Sequence, residues 1–161
     1  MKTLEKISEA LASVLHYVAG AAVFGMMIVT CLDVALRFFR MPFPGAYELV
    51  AILSGVSVAF AMAHTTMAKG HVAVSLLVRR FPKAWQNGID AVTSALGCCL
   101  FFLAGKKIVE MGWDYQQSGQ VSMTLHMPIY PVAYSIGVSL FVVSLVLLTA
   151  FLKNAGKVVG K

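Results

Sequence analysis

The sequence predicts an all-α integral membrane protein, with four membrane-crossing helices and one short amphipathic helix lying in the interface. Three observations carry this. Hydrophobic residues make up 59% of the chain and charged residues 12%, where an ordinary soluble domain is about 25% charged. Four apolar runs are each long enough to cross a hydrocarbon core about 30 Å thick. The charges gather at the ends of those runs. A chain of 161 residues with that balance forms one four-helix membrane domain over 1–161, with no second domain. The formal charge of +6 does not point to nucleic acid, because the basic residues sit where membrane proteins place them, beside the apolar runs.

The first helix is placed at about 10–36. Its uncharged run from Ala10 to Leu32 is too long for the core of a cleaved signal peptide, so it is read as retained. Gly20, Ala21 and Gly25 leave a narrow face for another helix. Asp33 and Arg37, four residues apart, share a face near its end, with the acid N-terminal to the base. Pro42, Pro44 and Gly45 break the helix into a tight turn. A second helix follows at about 47–67, with Glu48 in its first turn, where the helix dipole favours an anion. Asp33, Arg37 and Glu48 are therefore expected at one membrane face, as an interfacial salt-bridge cluster or a docking point. The second helix carries Ser54, Gly55, Ser57, Ala59, Ala61 and Ala63, small residues at the spacing of tight helix contact.

The stretch AKGHVAVSLLVRRFP divides the chain. Val74, Leu77, Val78 and Phe81 follow the i, i+3, i+4, i+7 pattern, so a short helix over 71–81 is expected along the membrane surface. A strand also fits the alternation of Val72, Val74, Leu76 and Val78, but unpaired strand edges are costly near lipid. Lys69, His71, Arg79, Arg80 and Trp85 form an interfacial anchor there. The third helix is placed at 83–108, with Lys106 and Lys107 snorkelling at its end. A polar loop made flexible by Gly112, Ser118 and Gly119 leads to the fourth helix, at 129–152. Its first turn tolerates Pro128 and Pro131, because amides there lack helical partners anyway. Cys31, Cys98 and Cys99 fall inside apolar runs without disulfide or metal spacing and read as small buried hydrophobes.

Counting charge sets the orientation. With the N-terminus inside, nine basic residues lie inside (Lys2, Lys6, Lys69, Arg79, Arg80, Lys83, Lys153, Lys157, Lys161) and four outside (Arg37, Arg40, Lys106, Lys107). The positive-inside rule then predicts both termini in the cytoplasm. Every acid and base lies within about two turns of a predicted helix end. A channel or coupled transporter usually carries ionisable groups in mid-membrane, and an enzyme would need a nucleophile–base pair or a metal motif. Neither pattern is present, and no catalytic, metal or substrate-binding residue is assigned. A four-helix multidrug exporter would want a membrane-embedded carboxylate, and Asp33 is too near a helix end. One alternative stays open: His16 and His64 fall at similar depth on adjacent helices, as a haem-binding or quinone-linked membrane anchor requires.

Three places in the chain resemble a known family. They are Asp33-Val34 with Arg37-Phe38; Glu48-Leu49 with Lys69-Gly70-His71-Val72 and Leu76-Leu77; and Ser122, Leu125, Met127-Pro128, Tyr130, Tyr134 and Ile136-Gly137. In this order and spacing the chain resembles the small membrane subunit (DctQ type) of the tripartite ATP-independent periplasmic, or TRAP, transporters, from about Val14 to Phe151. Ser75 departs from the family's H-V-x-V-D run, so no salt bridge is expected from that position. The resemblance implies a scaffold subunit of a sodium-coupled, binding-protein-dependent secondary transporter for small organic acids. It would sit in the bacterial inner membrane, surrounded by lipid, with no cofactor and no substrate site. A large membrane subunit would pack against Gly55, Ala59 and Ala63. The periplasmic binding protein would dock near Asp33, Arg37, Glu48 and the loop from Gly112 to Met127.

Overall fold

A computed structural model describes residues 2–41, 43–67 and 83–159. Among the described residues there are four helices: α1 (Lys2–Phe38), α2 (Ala46–Met67), α3 (Lys83–Gln117) and α4 (Tyr130–Val159). Each holds an apolar segment long enough to cross a membrane: Ser8–Phe38, Ala46–Met67, Val92–Gln117 and Tyr130–Leu152. The expected surface helix over 71–81, with Lys69, His71, Arg79 and Arg80, lies outside the described residues. Trp85 falls in the first turn of α3.

Three helices run further than expected, among them α4, which continues to Val159 rather than ending near 152. α1 starts at Lys2 rather than near position 10, because Leu, Glu and Lys are good helix formers and water can satisfy the exposed amides. α3 continues to Gln117 rather than ending near 108. Glu110 pairs with Lys107 at 2.7 Å and with Lys106 at 3.8 Å, supporting the turn that leaves the apolar region. Gly112 is not a flexible loop residue. It lies buried in α3, where a Cβ would come 3.1 Å from the Tyr134 ring and 3.3 Å from Ala133. The missing side chain lets α3 and α4 approach closely.

The helices form two hairpins, α1–α2 and α3–α4, and α4 packs on all three others. Among the described residues α3 packs substantially on α4 alone. The core gathers Ala12, Ala63, Val142 and Val143, with Leu15, Met62, Phe101 and Leu147 around them. The inward stripe of α1 is Ser8, Ala12, Leu15, Ala19, Ala22, Met26, Val29 and Asp33. Its alternating four- and three-residue steps match the seam of a left-handed helix pair. This corrects the expected face: Gly20 meets open space and Ala21 is exposed, whereas a Cβ at Gly25 would lie 3.7 Å from Leu53. The cysteines also differ from expectation. Cys31 and Cys99 are exposed and Cys98 half-buried, all free. An outward helix face in a bilayer can be as apolar as a core.

A serine hydroxyl crosses three of the helix contacts. Ser57 donates to the Ala19 carbonyl at 3.3 Å, Ser139 to Ala59 at 2.5 Å and Ser144 to Cys98 at 3.1 Å. These link α2 to α1, α4 to α2 and α4 to α3. In hydrocarbon such bonds stabilise packing by about 0.6–2 kcal/mol each.

Ala59 and Ala63 are 8% and 0% exposed, so the chain's own α4 and α1 already occupy them. They are not a free surface for a second subunit, whereas Gly55 stays exposed. Ala63→Leu is therefore expected to destabilise the isolated chain by about 1–3 kcal/mol through overpacking. Gly55→Leu, whose nearest neighbour is the end of Ile136 at 3.9 Å, should leave its melting temperature near the parent's. Thermal melting of the two variants in detergent checks this, and equal melting would contradict the packing.

Candidate functional site

The polar chemistry of the described residues concentrates at the end of the bundle where both hairpins turn. α1 ends in a tight cap. Met41 N–H bonds the Leu36 carbonyl and Arg40 N–H the Arg37 carbonyl, both at 3.0 Å, with Arg40 at φ 60°. This is the Schellman arrangement, which satisfies carbonyls left free at a helix end. Asp33 stands at the last step of the inward stripe and is 9% exposed. Its carboxylate accepts from Arg37 Nε at 2.8 Å and from the Phe43 amide at 3.3 Å. One buried acid thus holds both the end of α1 and the chain leading into α2.

The second turn is built in a similar way and is not the flexible loop expected from its glycines. Gly119, at φ 63°, lets the Gln120 amide reach back to the Tyr115 carbonyl at 3.1 Å and close α3. Ser122 N–H then bonds the Met127 carbonyl at 2.9 Å and Ile129 N–H the Gln120 carbonyl at 3.4 Å. Val121 and Pro128 form an antiparallel bridge. Residues 120–129 are a miniature hairpin whose tip is 123–126.

Glu48 holds that tip. It lies in the first turn of α2, but its carboxylate reaches across to the other hairpin. Oε1 accepts from the Thr124 amide at 2.9 Å. Oε2 accepts from the Leu125 amide at 3.1 Å and from the Ser122 hydroxyl in a short bond. Charge-assisted bonds of this kind are roughly twice as strong as neutral ones. The Leu125 side chain then lies against Gly45, where any Cβ would collide with it. Gly45 also has φ 87°, so two separate constraints demand glycine.

The predicted Asp33–Arg37–Glu48 cluster is thereby divided. All three lie at one end of the bundle, but Asp33 and Arg37 bond the first turn and Glu48 bonds the second. Among the described residues no ion pair joins Glu48 to Arg37. The partners of Glu48 (Ser122, Thr124 and Leu125) were missed as a site. The available signal was that Glu48 on one side, and Ser122 and Leu125 on the other, stand in two of the three places that carry the resemblance. Around the two turns lie exposed apolar side chains: Met123 is 93% exposed, Tyr47 89% and Phe38 86%.

The histidines meet at the opposite end. The rings of His16 and His64 stack with centroids 4.4 Å apart and planes 26° from parallel. Nδ1 of His64 is buried without a hydrogen-bond partner among the described residues. The depth match is as expected, but the geometry does not suit haem. Axial ligands aim a nitrogen at an iron between them, whereas stacked rings leave no room for a macrocycle. No group of three or more His, Cys, Asp or Glu able to hold a metal occurs among the described residues.

A family model described as "Tripartite ATP-independent periplasmic transporters, DctQ component" matches residues 26–156. No curated relative and no solved structure matches the chain.

Glu48→Ala is expected to accelerate amide hydrogen exchange at Thr124 and Leu125 while leaving exchange in mid-helix unchanged. Unaltered exchange at those two amides would contradict the latch. The purified protein should show no Soret band. A Soret band lost on His64→Ala would restore the haem-anchor alternative.

Proposed function

Because the chain belongs to the DctQ component family of the tripartite ATP-independent periplasmic transporters, we propose that it is the fixed scaffold subunit of a sodium-coupled uptake system for small organic acids. Membership makes it a multi-pass membrane component of a transporter, not an enzyme, and implies two partners: a large membrane subunit and a periplasmic binding protein. In this proposal the large subunit holds the substrate and sodium sites and moves. The present chain packs beside it, stays still and helps receive the binding protein. It sits in the bacterial inner membrane with both termini cytoplasmic, as the charge count supports.

The observation that carries the scaffold role is the bond set of Glu48. It joins the turn of one hairpin to the turn of the other, so the loop end behaves as one body. A rigid end-piece suits a frame against which a partner moves, and it would meet the binding protein with a preformed surface. The exposed side of α2, with Gly55 and the 66% exposed Val58, supports contact with the large subunit there, since a glycine admits close helix approach.

Co-expression with the large subunit tests this. Glu48→Lys or Asp33→Lys should weaken assembly or transport while the binding protein keeps its substrate affinity. Gly55→Leu should reduce co-purification of the large subunit. Transport by this chain alone in liposomes, or a change of substrate preference caused by its mutations, would overturn the scaffold role.

A further inference from the structure

A groove of about 390 Å³ runs along the outer side of the α3–α4 contact. Its α3 wall runs from Ala95 to Phe102 and its α4 wall from Ser144 to Phe151. Seven steps at a rise of about 1.5 Å make each wall roughly 10 Å long, parallel to the helices. Both walls lie inside membrane-crossing segments, Val92–Gln117 and Tyr130–Leu152. The two helices are antiparallel, so Ala95 and Phe151 mark the groove's end nearer the C-terminus of α4. Phe102 and Ser144 mark its end nearer mid-membrane.

We propose that this groove seats one acyl chain of a phospholipid from the leaflet on the side of the C-terminus. The inference concerns α3 and α4 as membrane helices and does not rest on the scaffold role. The lining offers a ligand little polar chemistry. Ser144 donates to the Cys98 carbonyl at 3.1 Å, and its oxygen lies 3.3 Å from the Cys98 sulfur. Ser144 and Cys98 therefore satisfy one another, Cys99 adds one free thiol, which behaves as a small hydrophobe, and the rest of the lining is apolar. An unfilled apolar hollow forfeits dispersion contacts along its whole wall, and at this depth the surrounding solvent is hydrocarbon.

The shape suits a chain better than a helix. A helix with side chains is about 10–12 Å across and approaches another through small residues. Here the edges carry Phe102, Leu148 and Phe151. The Phe102 ring is fixed edge-on by Phe141, with centroids 5.6 Å apart, so that end is a firm wall. The volume lies within the range of about 300–1,000 Å³ typical of small-molecule sites. Because α3 packs substantially only on α4 among the described residues, a chain in this groove buttresses the joint that attaches α3.

The test uses the full chain, alone and co-expressed with its large subunit, extracted in mild detergent. Retained phospholipid is counted by native mass spectrometry. Ala95→Trp and Leu148→Trp fill the groove; Leu96→Trp, on the 67% exposed outer face of α3, is the control. The parent and the control should keep one phospholipid per chain, and both filled variants should lose it. A phospholipid carrying a photoactivatable acyl chain should crosslink to the parent protein between 95 and 102 or between 144 and 151, which needs no variant to fold. Equal retention in all variants, recovery of free fatty acid or detergent only, or crosslinks confined to other faces would overturn the proposal. So would loss of the large subunit from the filled variants with lipid retention unchanged, which would make the groove a subunit contact.

Discussion

Inside a bilayer the hydrophobic effect does not draw one helix to another, because lipid tails are as apolar as leucine. What remains is close backbone approach and hydrogen bonds that no water competes for. This chain uses both. Ala12, Ala19, Ala63 and Gly112 let the helices come near, and Ser57, Ser139 and Ser144 bond carbonyls across the gaps. α4 is the hub because its small residues serve several neighbours: Ala133 and Ser144 face α3, and Ser139 faces α2.

The loop end follows a different rule. There water is close, and charged groups can be kept if they are bonded. Asp33 holds the first turn and Glu48 holds the second, each with backbone amides as donors. The contact of Leu125 with Gly45 then joins the two turns. A bundle whose α3 packs substantially on one neighbour among the described residues is thus tied at its end to the other hairpin. That gives a physical basis to the proposed role of a frame that holds still while a partner moves.

Much of this was legible in the residues. The spans followed from apolar length, and the Asp33–Arg37 pair from a four-residue spacing that the helix makes unavoidable. The partner of Glu48 was not legible, since 74 residues separate it from Ser122 and no local pattern measures that distance. The choice between Gly20 and Ala19 on α1 was hidden for a similar reason. Neighbouring small residues look alike until the partner helix sets the phase. Gly112 suggested a loop because glycine usually weakens a helix, and the ring of Tyr134 explains why it does not do so here.

The sequence by itself determined that the chain belongs in a membrane, crosses it four times and keeps its charges near the ends. Those are properties of single segments, because burying a charge or an unsatisfied amide in hydrocarbon is costly wherever the segment lies. Only the tertiary structure decided that Ala59 and Ala63 face inward, that Glu48 grips the far hairpin and that α3 leaves a groove beside α4. Those outcomes depend on the rotation and placement of helices distant in the chain, which contacts settle and composition does not.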